Sequence, residues 1–266
     1  MSEPEPFVDI HCHLVPGIDD GAKSEKHSLA MARMAVEDGI STIIVTPHQL
    51  GANSQNDGTT IRQKTAELQR LLDDHGVPLG VLPGGDVRIG PEMIAGLRSG
   101  EVMSLADHRR HVLLELPHEL YMPLDPVLDN LAKINMVGIL SHPERNSGIL
   151  ANRKVLAPLV NAGCLMQVTG DSLTGTFGGA CQELAEWMLA QGLVHFLATD
   201  AHSPKARRPQ LRKAFDRAAE LTEHATGLDL CCRNPALVAR GEDVPSGRRA
   251  VRRGGLASWL GFRKAG

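Results

Sequence analysis

Phe7-Val8-Asp9-Ile10-His11-Cys12-His13 is an apolar run of strand length that closes on metal-ligand residues. In a strand, residues i and i+2 share a face. The stretch therefore predicts His11 and His13 looking one way with Asp9 below them, and Ile10 and Cys12 looking the other way. Six further apolar runs end in the same kind of cluster. They are Thr46-Pro47-His48, Gly84-Gly85-Asp86, Glu115-Leu116-Pro117-His118, Ser141-His142-Pro143-Glu144-Arg145, Thr169-Gly170-Asp171 and Thr199-Asp200-Ala201-His202. In a (β/α) barrel the strand ends converge on one rim, where the chemistry is done. Carboxylates and imidazoles at almost every strand end predict a multi-metal hydrolytic centre.

Outward from these ends the chain alternates strand and helix. Strands are expected at Phe7–His13, Ser41–Thr46, Val77–Leu82, His111–Leu116, Val137–Ser141, Cys164–Thr169 and His195–Thr199. Helices are expected at Ser24–Asp38, Thr59–His75, Leu124–Ile134, Asn152–Ala162, Ala180–Gln191 and Arg207–Glu223, with one or two capping helices over Thr226–Gly241. Ser24 suits an N-cap and Gly39 a helix stop. Alternating units predict a parallel sheet, and seven of them predict a barrel. The polar stretch Gln49–Gly58 and the Gly/Thr stretch Gly170–Gly179 are expected to be loops bordering the substrate opening.

The 266 residues, 42% apolar, suffice for one large core, expected over residues 1–245. The start, Met1-Ser2-Glu3-Pro4-Glu5-Pro6, has no signal-peptide pattern, and no run is long enough for a membrane span. A cytoplasmic protein is expected. Five Cys without regular spacing read as free thiols, Cys12 and Cys231-Cys232 as structural ones. Residues 246–266 hold six of the 28 basic residues and none of the 31 acidic ones. The first 245 residues therefore carry a formal −9, which argues against nucleic-acid binding by the body. The tail sets Arg248, Arg249, Arg252 and Arg253 beside Trp259, Leu260 and Phe262. It is expected either to be disordered or docked on the barrel, or to make weak peripheral contact with an anionic membrane at its inner face.

Nine candidate ligands stand at strand ends or in the loops after them: His11, His13, Asp20, His48, Asp86, Glu115, His142, Asp200 and His202. Oxygen and imidazole donors without thiolate suit Mn, Zn or Fe. Arg145, directly after a strand, is placed to fork onto phosphate oxygens. Arg207 or Arg208 would add a second guanidinium, with at least one of the two at a solvated helix start. Asp171, Glu92, Asp107, His118 and His111 are expected to be structural, and His27, His75, His195 and His224 to lie on the surface or pack helices. The H-x-H and D-x-H pair also suits amidohydrolases.

DIHCHLVPGIDDGAKS, VTPH, PGGDVRI, LELP, SHPERN and ATDAHSPKAR occur in that order. Together they resemble the PHP (polymerase and histidinol phosphatase) superfamily over roughly residues 7–240. More narrowly, they resemble its bacterial protein-tyrosine phosphatases of capsular and exopolysaccharide operons. The resemblance implies a distorted (β/α)7 barrel and two to three divalent ions, manganese first. His11, His13 and Asp200 would hold one ion, Glu115 and His142 a second with Asp86 bridging, and Asp20, His48 and His202 a third. The resembled family usually has Glu where this chain has Asp86, one methylene shorter. The implied reaction is hydrolysis of protein phosphotyrosine by a metal-bound hydroxide, with Arg145 and Arg208 as catalytic residues and Arg145, Arg207 and Arg208 binding substrate. The implied partner is a membrane-associated tyrosine kinase of polysaccharide export. Two alternatives keep the site: a phosphatase of a small phosphomonoester such as histidinol phosphate, and a poorly catalytic regulatory protein recruited to the membrane.

Overall fold

The computed structural model describes residues 5–249. Strand β1 is Phe7–Cys12, followed by helix α1 (Glu25–Asp38), β2 (Ile40–Val45), β3 (His48–Gln49) and α2 (Gly58–Asp74). Then come β4 (Gly80–Pro83), β5 (Asp86–Arg88), α3 (Met93–Ser99), β6 (His111–Glu115) and α4 (Asp125–Ala132). The second half holds β7 (Val137–Ser141), α5 (Ser147–Ala151), α6 (Leu156–Asn161), β8 (Leu165–Thr169), α7 (Gly170–Leu173) and α8 (Gly179–Ala190). Strand β9 (Phe196–Ala198) is followed by α9 (Arg212–Leu221), α10 (His224–Leu228), a wide π-type turn over Asp229–Arg233, and α11 (Asn234–Arg240).

All strand pairs are parallel, in the orders β1-β2-β4 and β3-β5-β6-β7-β8-β9. The two sheets are one ring interrupted at the same level. Pro47, which lacks the N–H that a ladder needs, lies between β2 and β3, and Pro83 ends β4, with Gly84-Gly85 between it and β5. The ring closes between β1 and the end of β9. Asp200 N–H donates to the His11 carbonyl at 2.7 Å and His13 N–H to the Ala201 carbonyl at 2.9 Å. Seven strand positions result, as the spacing of the motifs predicts.

The interior of the ring takes apolar residues from every wall: Ile10, Ile44, Leu113, Ile139, Leu165 and Phe196 form one buried cluster with Val238 and Val244 below. One step further along β6 and β8, the same inward face carries Glu115 and Gln167. Apolar burial in the lower barrel thus sets the register, and register delivers the polar side chains to the upper rim. β1 departs from strict alternation. Its pairing with β2 shifts between Asp9 and Cys12, so Ile10 joins the interior cluster while Cys12 packs in the outer one with the helices. The expectation that Ile10 and Cys12 share a face is corrected by this irregularity.

Other boundaries moved for identifiable reasons. The third strand begins at Gly80, because Val77 N–H folds back to the Leu72 carbonyl at the end of α2. The last long helix begins at Arg212, after Pro209. Its first N–H groups are capped by the Asp38 carboxylate of α1 (Leu211 N at 2.5 Å, Arg212 N at 2.9 Å). Residues between Leu82 and His111, given no element by the sequence reading, hold β5 and α3. Gly170–Leu173, expected as loop, is the short helix α7. The basic tail starts docked at the far end of the barrel: Arg249 N–H donates to the Gly192 carbonyl at 2.9 Å, and Arg248 reaches Gln191. Residues 250–266, and with them most of the membrane expectation, lie outside the described residues.

Candidate metal centre

The nine candidate ligands meet at one rim. His11 and His13 leave β1, His48 opens β3, Asp86 opens β5, Glu115 ends β6, and His142, Asp200 and His202 follow β7 and β9. Asp20 arrives from the Asp19-Asp20-Gly21 turn. A Cβ on Gly21 would lie 2.3 Å from the His13 carbonyl oxygen, so only glycine lets this turn press against the strand that carries the imidazoles. His142 and Asp200 are non-glycine residues with left-handed backbone, φ 31° and 50°. Such conformations cost energy, and they cluster where a fold must aim a side chain.

Ligand atoms fall into four groups, each within 4.8 Å: His13, Asp20, His48 and His202; His11, His142 and Asp200; His11, His13 and Asp86; His48, Asp86 and Glu115. All nine candidates are therefore brought together. The grouping differs in detail from the sequence expectation. His142 lies with His11 and Asp200 rather than with Glu115, and His13 also borders the set of Asp20, His48 and His202.

Proton bookkeeping says what this rim wants. His11 Nδ1 faces Gln167 Oε1 at 2.9 Å, and His13 Nδ1 faces Asp19 Oδ2 at 2.7 Å. With both Nδ1 atoms donating, both Nε2 atoms present lone pairs. They nevertheless approach each other to 3.3 Å, and lie 3.2 and 3.5 Å from Asp200 Oδ1. His202 repeats the device: Nδ1 faces the Asp200 carbonyl at 3.0 Å, and Nε2 turns to Asp20 at 3.4 Å. Asp86 is fully buried, yet neither carboxylate oxygen has a hydrogen-bond partner among the described residues. His48 Nδ1 comes within 3.2 Å of Asp86 Oδ2 without hydrogen-bond geometry. A buried, unsatisfied carboxylate is costly. Lone pairs converging on common points fit cations of the oxygen- and imidazole-binding class.

The electrostatics agree. Burial, with the nearby Arg145 charge, pushes His142 down to about 3 against the pull of Asp200, leaving a neutral imidazole able to ligate. Burial acts against charge on His13 and His48 too, but Asp19 for the first, and Asp20 and Asp86 for the second, raise them to about 9 and about 11. Burial and the Asp86 carboxylate push Glu115 up to about 7. The rim thus holds positive charge strongly, and a divalent ion supplies it without protons.

Two arginines frame the cluster. Arg145 and Arg207 both pair with Asp200 Oδ2. Their guanidinium carbons lie 4.3 and 5.9 Å from the centroid of the Phe177 ring, within cation–π range. The buried Arg207 Nε has no partner among the described residues. Arg208 is placed differently: it is exposed, and its Nε donates to the Lys205 carbonyl. The structure brings Arg145 and Arg207 to the rim and leaves Arg208 at the solvated position.

Sequence reasoning missed the residues that hold the ligands. Gln167, Asp19, Phe177 and Arg88 (3.6 Å from Glu115) were not singled out. The Asp-Asp doublet was the one available signal. Asp9 is buried, and its carboxylate accepts from His11 N, Thr199 N and Thr199 Oγ1, tying β1 to β9 beneath the site. His118 stacks on His142 with centroids 5.6 Å apart. His195, expected on the surface or between helices, is fully buried at the foot of β9.

The family model for capsular polysaccharide synthesis, CpsB/CapC, matches residues 7–240. The chain belongs to this family. It is 35% identical over 211 residues to the tyrosine-protein phosphatase YwqE of Bacillus subtilis, covering 79% of this chain and 82% of that protein. It is 24% identical over 234 residues to the tyrosine-protein phosphatase CpsB of Streptococcus pneumoniae, covering 86% and 96%. Among solved structures it matches one from work on YwqE and CpsB, described as metal-dependent tyrosine phosphatases. The TM-score is 0.87 at 31% identity, over 93% of this chain and 99% of that one. The phosphotriesterase homology protein of Escherichia coli shares the fold at 10% identity, with a TM-score of 0.54 over 88% of this chain and 99% of that one. The CpsB/CapC match spans the whole barrel and every candidate ligand, and stops before the basic tail.

Proposed function

We propose that this CpsB/CapC-family chain is a metal-dependent phosphatase that hydrolyses phosphotyrosine on a protein. The observation that carries the reading is Asp86, buried with both oxygens unpartnered among imidazoles whose lone pairs converge. The activity named for YwqE and CpsB favours phosphotyrosine over a small phosphomonoester and over a poorly catalytic regulator.

His11, His142 and Asp200 would hold one ion and Glu115 a second, with Asp86 near both sets. Asp20, His48 and His202 would hold a third. Manganese is the first candidate, zinc or iron the next. When bound, such ions supply water activation at neutral pH and charge neutralisation on the phosphoryl oxygens. The chain's own residues do the rest. Gln167 and Asp19 fix the tautomers of His11 and His13, which keeps their Nε2 lone pairs free. Arg145 and Arg207 share one oxygen of Asp200 and can pass guanidinium N–H groups to an incoming phosphoryl group. The leaving phenolate is stable enough (Tyr pKa about 10) to leave without a strong acid.

A membrane-associated tyrosine kinase of polysaccharide export is the proposed partner, met in the cytoplasm at the inner face of the membrane. Residues 1–245 would form the phosphatase domain and 246–266 a basic appendage. No helix among the described residues is long and apolar enough to cross a membrane.

The test is turnover of a phosphotyrosine peptide by protein stripped with chelator and reloaded with Mn²⁺, beside histidinol phosphate at equal concentration. Restored peptide turnover that disappears in His11→Ala is the expected result. Faster turnover of the small phosphate would overturn the substrate, and metal binding without turnover would overturn the enzyme. Asp86→Glu, which restores the family's residue, reports how far the shorter carboxylate limits the rate.

A further inference from the structure

Beside the metal centre lies a pocket of about 390 Å³ that the hydrolytic reading does not use. It shares Asp20, His202 and Arg207 with the centre, and extends outward to Lys23, His27 and Lys205. Pro204 and Ala206 supply apolar wall. Three of its lining residues are cationic. The one carboxylate, Asp20, is two-thirds exposed, and its Oδ1 lies 3.5 Å from His48 and 3.4 Å from His202. Glu25, in the first turn of α1, borders a different depression, which Lys23 also lines.

This local sign is opposite to that of the molecule. The first 245 residues carry a formal −9, so a positive rim immediately beside the reacting centre is a feature of the site rather than of the surface at large. Lys23 and His27 flank the start of α1, whose backbone N–H groups add further positive potential. His202 and Arg207 are held together at the inner end: His202 N–H donates to the Arg207 carbonyl at 3.0 Å. A peptide whose phosphoryl group reaches Arg207 would set a neighbouring side chain toward the pocket that Lys23 and Lys205 also line.

We propose that this pocket is a specificity subsite for an anionic side chain next to the phosphotyrosine. The proposal rests on the phosphatase reading and narrows its substrate to acidic or multiply phosphorylated segments. Two sources supply the same chemistry: a carboxylate of Asp or Glu, or a second phosphotyrosine.

The experiment uses the full chain loaded with Mn²⁺ and fluorescent peptides carrying a non-hydrolysable phosphotyrosine analogue. The analogue is flanked by Gln, Glu, phosphotyrosine or Lys, and affinity is read by anisotropy. Glu-flanked peptide is expected to bind about 5- to 10-fold more tightly than Gln-flanked peptide at low salt, with the gain shrinking in high salt, as exposed charge pairs do. A further gain for the phosphotyrosine flank assigns the subsite to a second phosphoryl group, and parity with Glu assigns it to carboxylates. In the Lys23→Ala/Lys205→Ala variant the preference should vanish, while binding of the Gln-flanked peptide and turnover of a small aryl phosphate stay at wild-type levels. Equal affinity for Gln and Glu flanks, or a preference that survives the double substitution, would overturn the subsite. Loss of aryl phosphate turnover in the wild-type protein itself would instead overturn the phosphatase reading, because the affinity series does not depend on turnover.

Discussion

The two ends of the barrel use buried histidines in opposite ways. At the C-terminal rim, His11, His13, His48, His142 and His202 face Asp20, Asp86, Glu115 and Asp200. At the other end, His111 and His195 are equally buried but stand apart from such a carboxylate cluster. His195 Nδ1 accepts from Met166 N–H at 3.1 Å, and its Nε2 faces the Gly247 carbonyl at 3.1 Å. Burial pushes both residues down to about 4. One residue type at the two ends of the same strands thus serves among carboxylates, which raise His13 and His48, or as a neutral core side chain, hydrogen-bonded in the case of His195. The difference lies in whether the register brings carboxylates alongside.

The comparison is broken most severely by Asp86→Ala. Removing the carboxylate between the ligand groups should cost more than about 100-fold in turnover, since even residues supporting a ligand cost 10- to 100-fold. Elemental analysis of the purified variant should show metal lost in parallel. Full metal content would mean that the rim does not depend on this residue.

Phe177→Leu tests the frame of the same rim at smaller cost. Without the ring, Arg145 and Arg207 lose a cation–π support worth about 0.5–2 kcal/mol. The KM for phosphopeptide and the inhibition constant for inorganic phosphate should rise about 3- to 10-fold with metal content unchanged. Phe177→Tyr should restore both.

The opposite end is tested by pH. A histidine whose folded value lies at about 4, below its ordinary 6.5, binds protons more readily in the unfolded chain. Stability should then be full above about pH 6.5 and decline as the pH falls toward about 4. His195→Gln should flatten that slope by about 1–2 kcal/mol across the window, measured as denaturant unfolding of metal-free protein. An unchanged slope would mean that His195 is not the neutral group described here.

Strand order and candidate ligands were largely legible in the sequence because both depend on local pattern. An apolar run followed by His, Asp or Glu marks an inward-facing strand and its upper end, and short βα connections keep neighbours adjacent. What the pattern missed depends on contacts across long separations. Gln167 holds His11 from 156 residues away, and Asp38 caps a helix from 173 residues away. The β1 irregularity was equally invisible, because alternation assumes an unbroken ladder. The choice between Arg207 and Arg208 was open in sequence. The turn whose carbonyl at Arg207 is held by His202 and Ser203 settles which side chain faces inward.

The sequence by itself determined the barrel, the rim and the chemical character of the donors: these follow from residue type and a period of two. The tertiary structure alone decided which nitrogen of each imidazole is free, which carboxylate lacks a partner, and which arginine meets Asp200. Those properties belong to pairs of residues, and a pair exists only once the ring has closed.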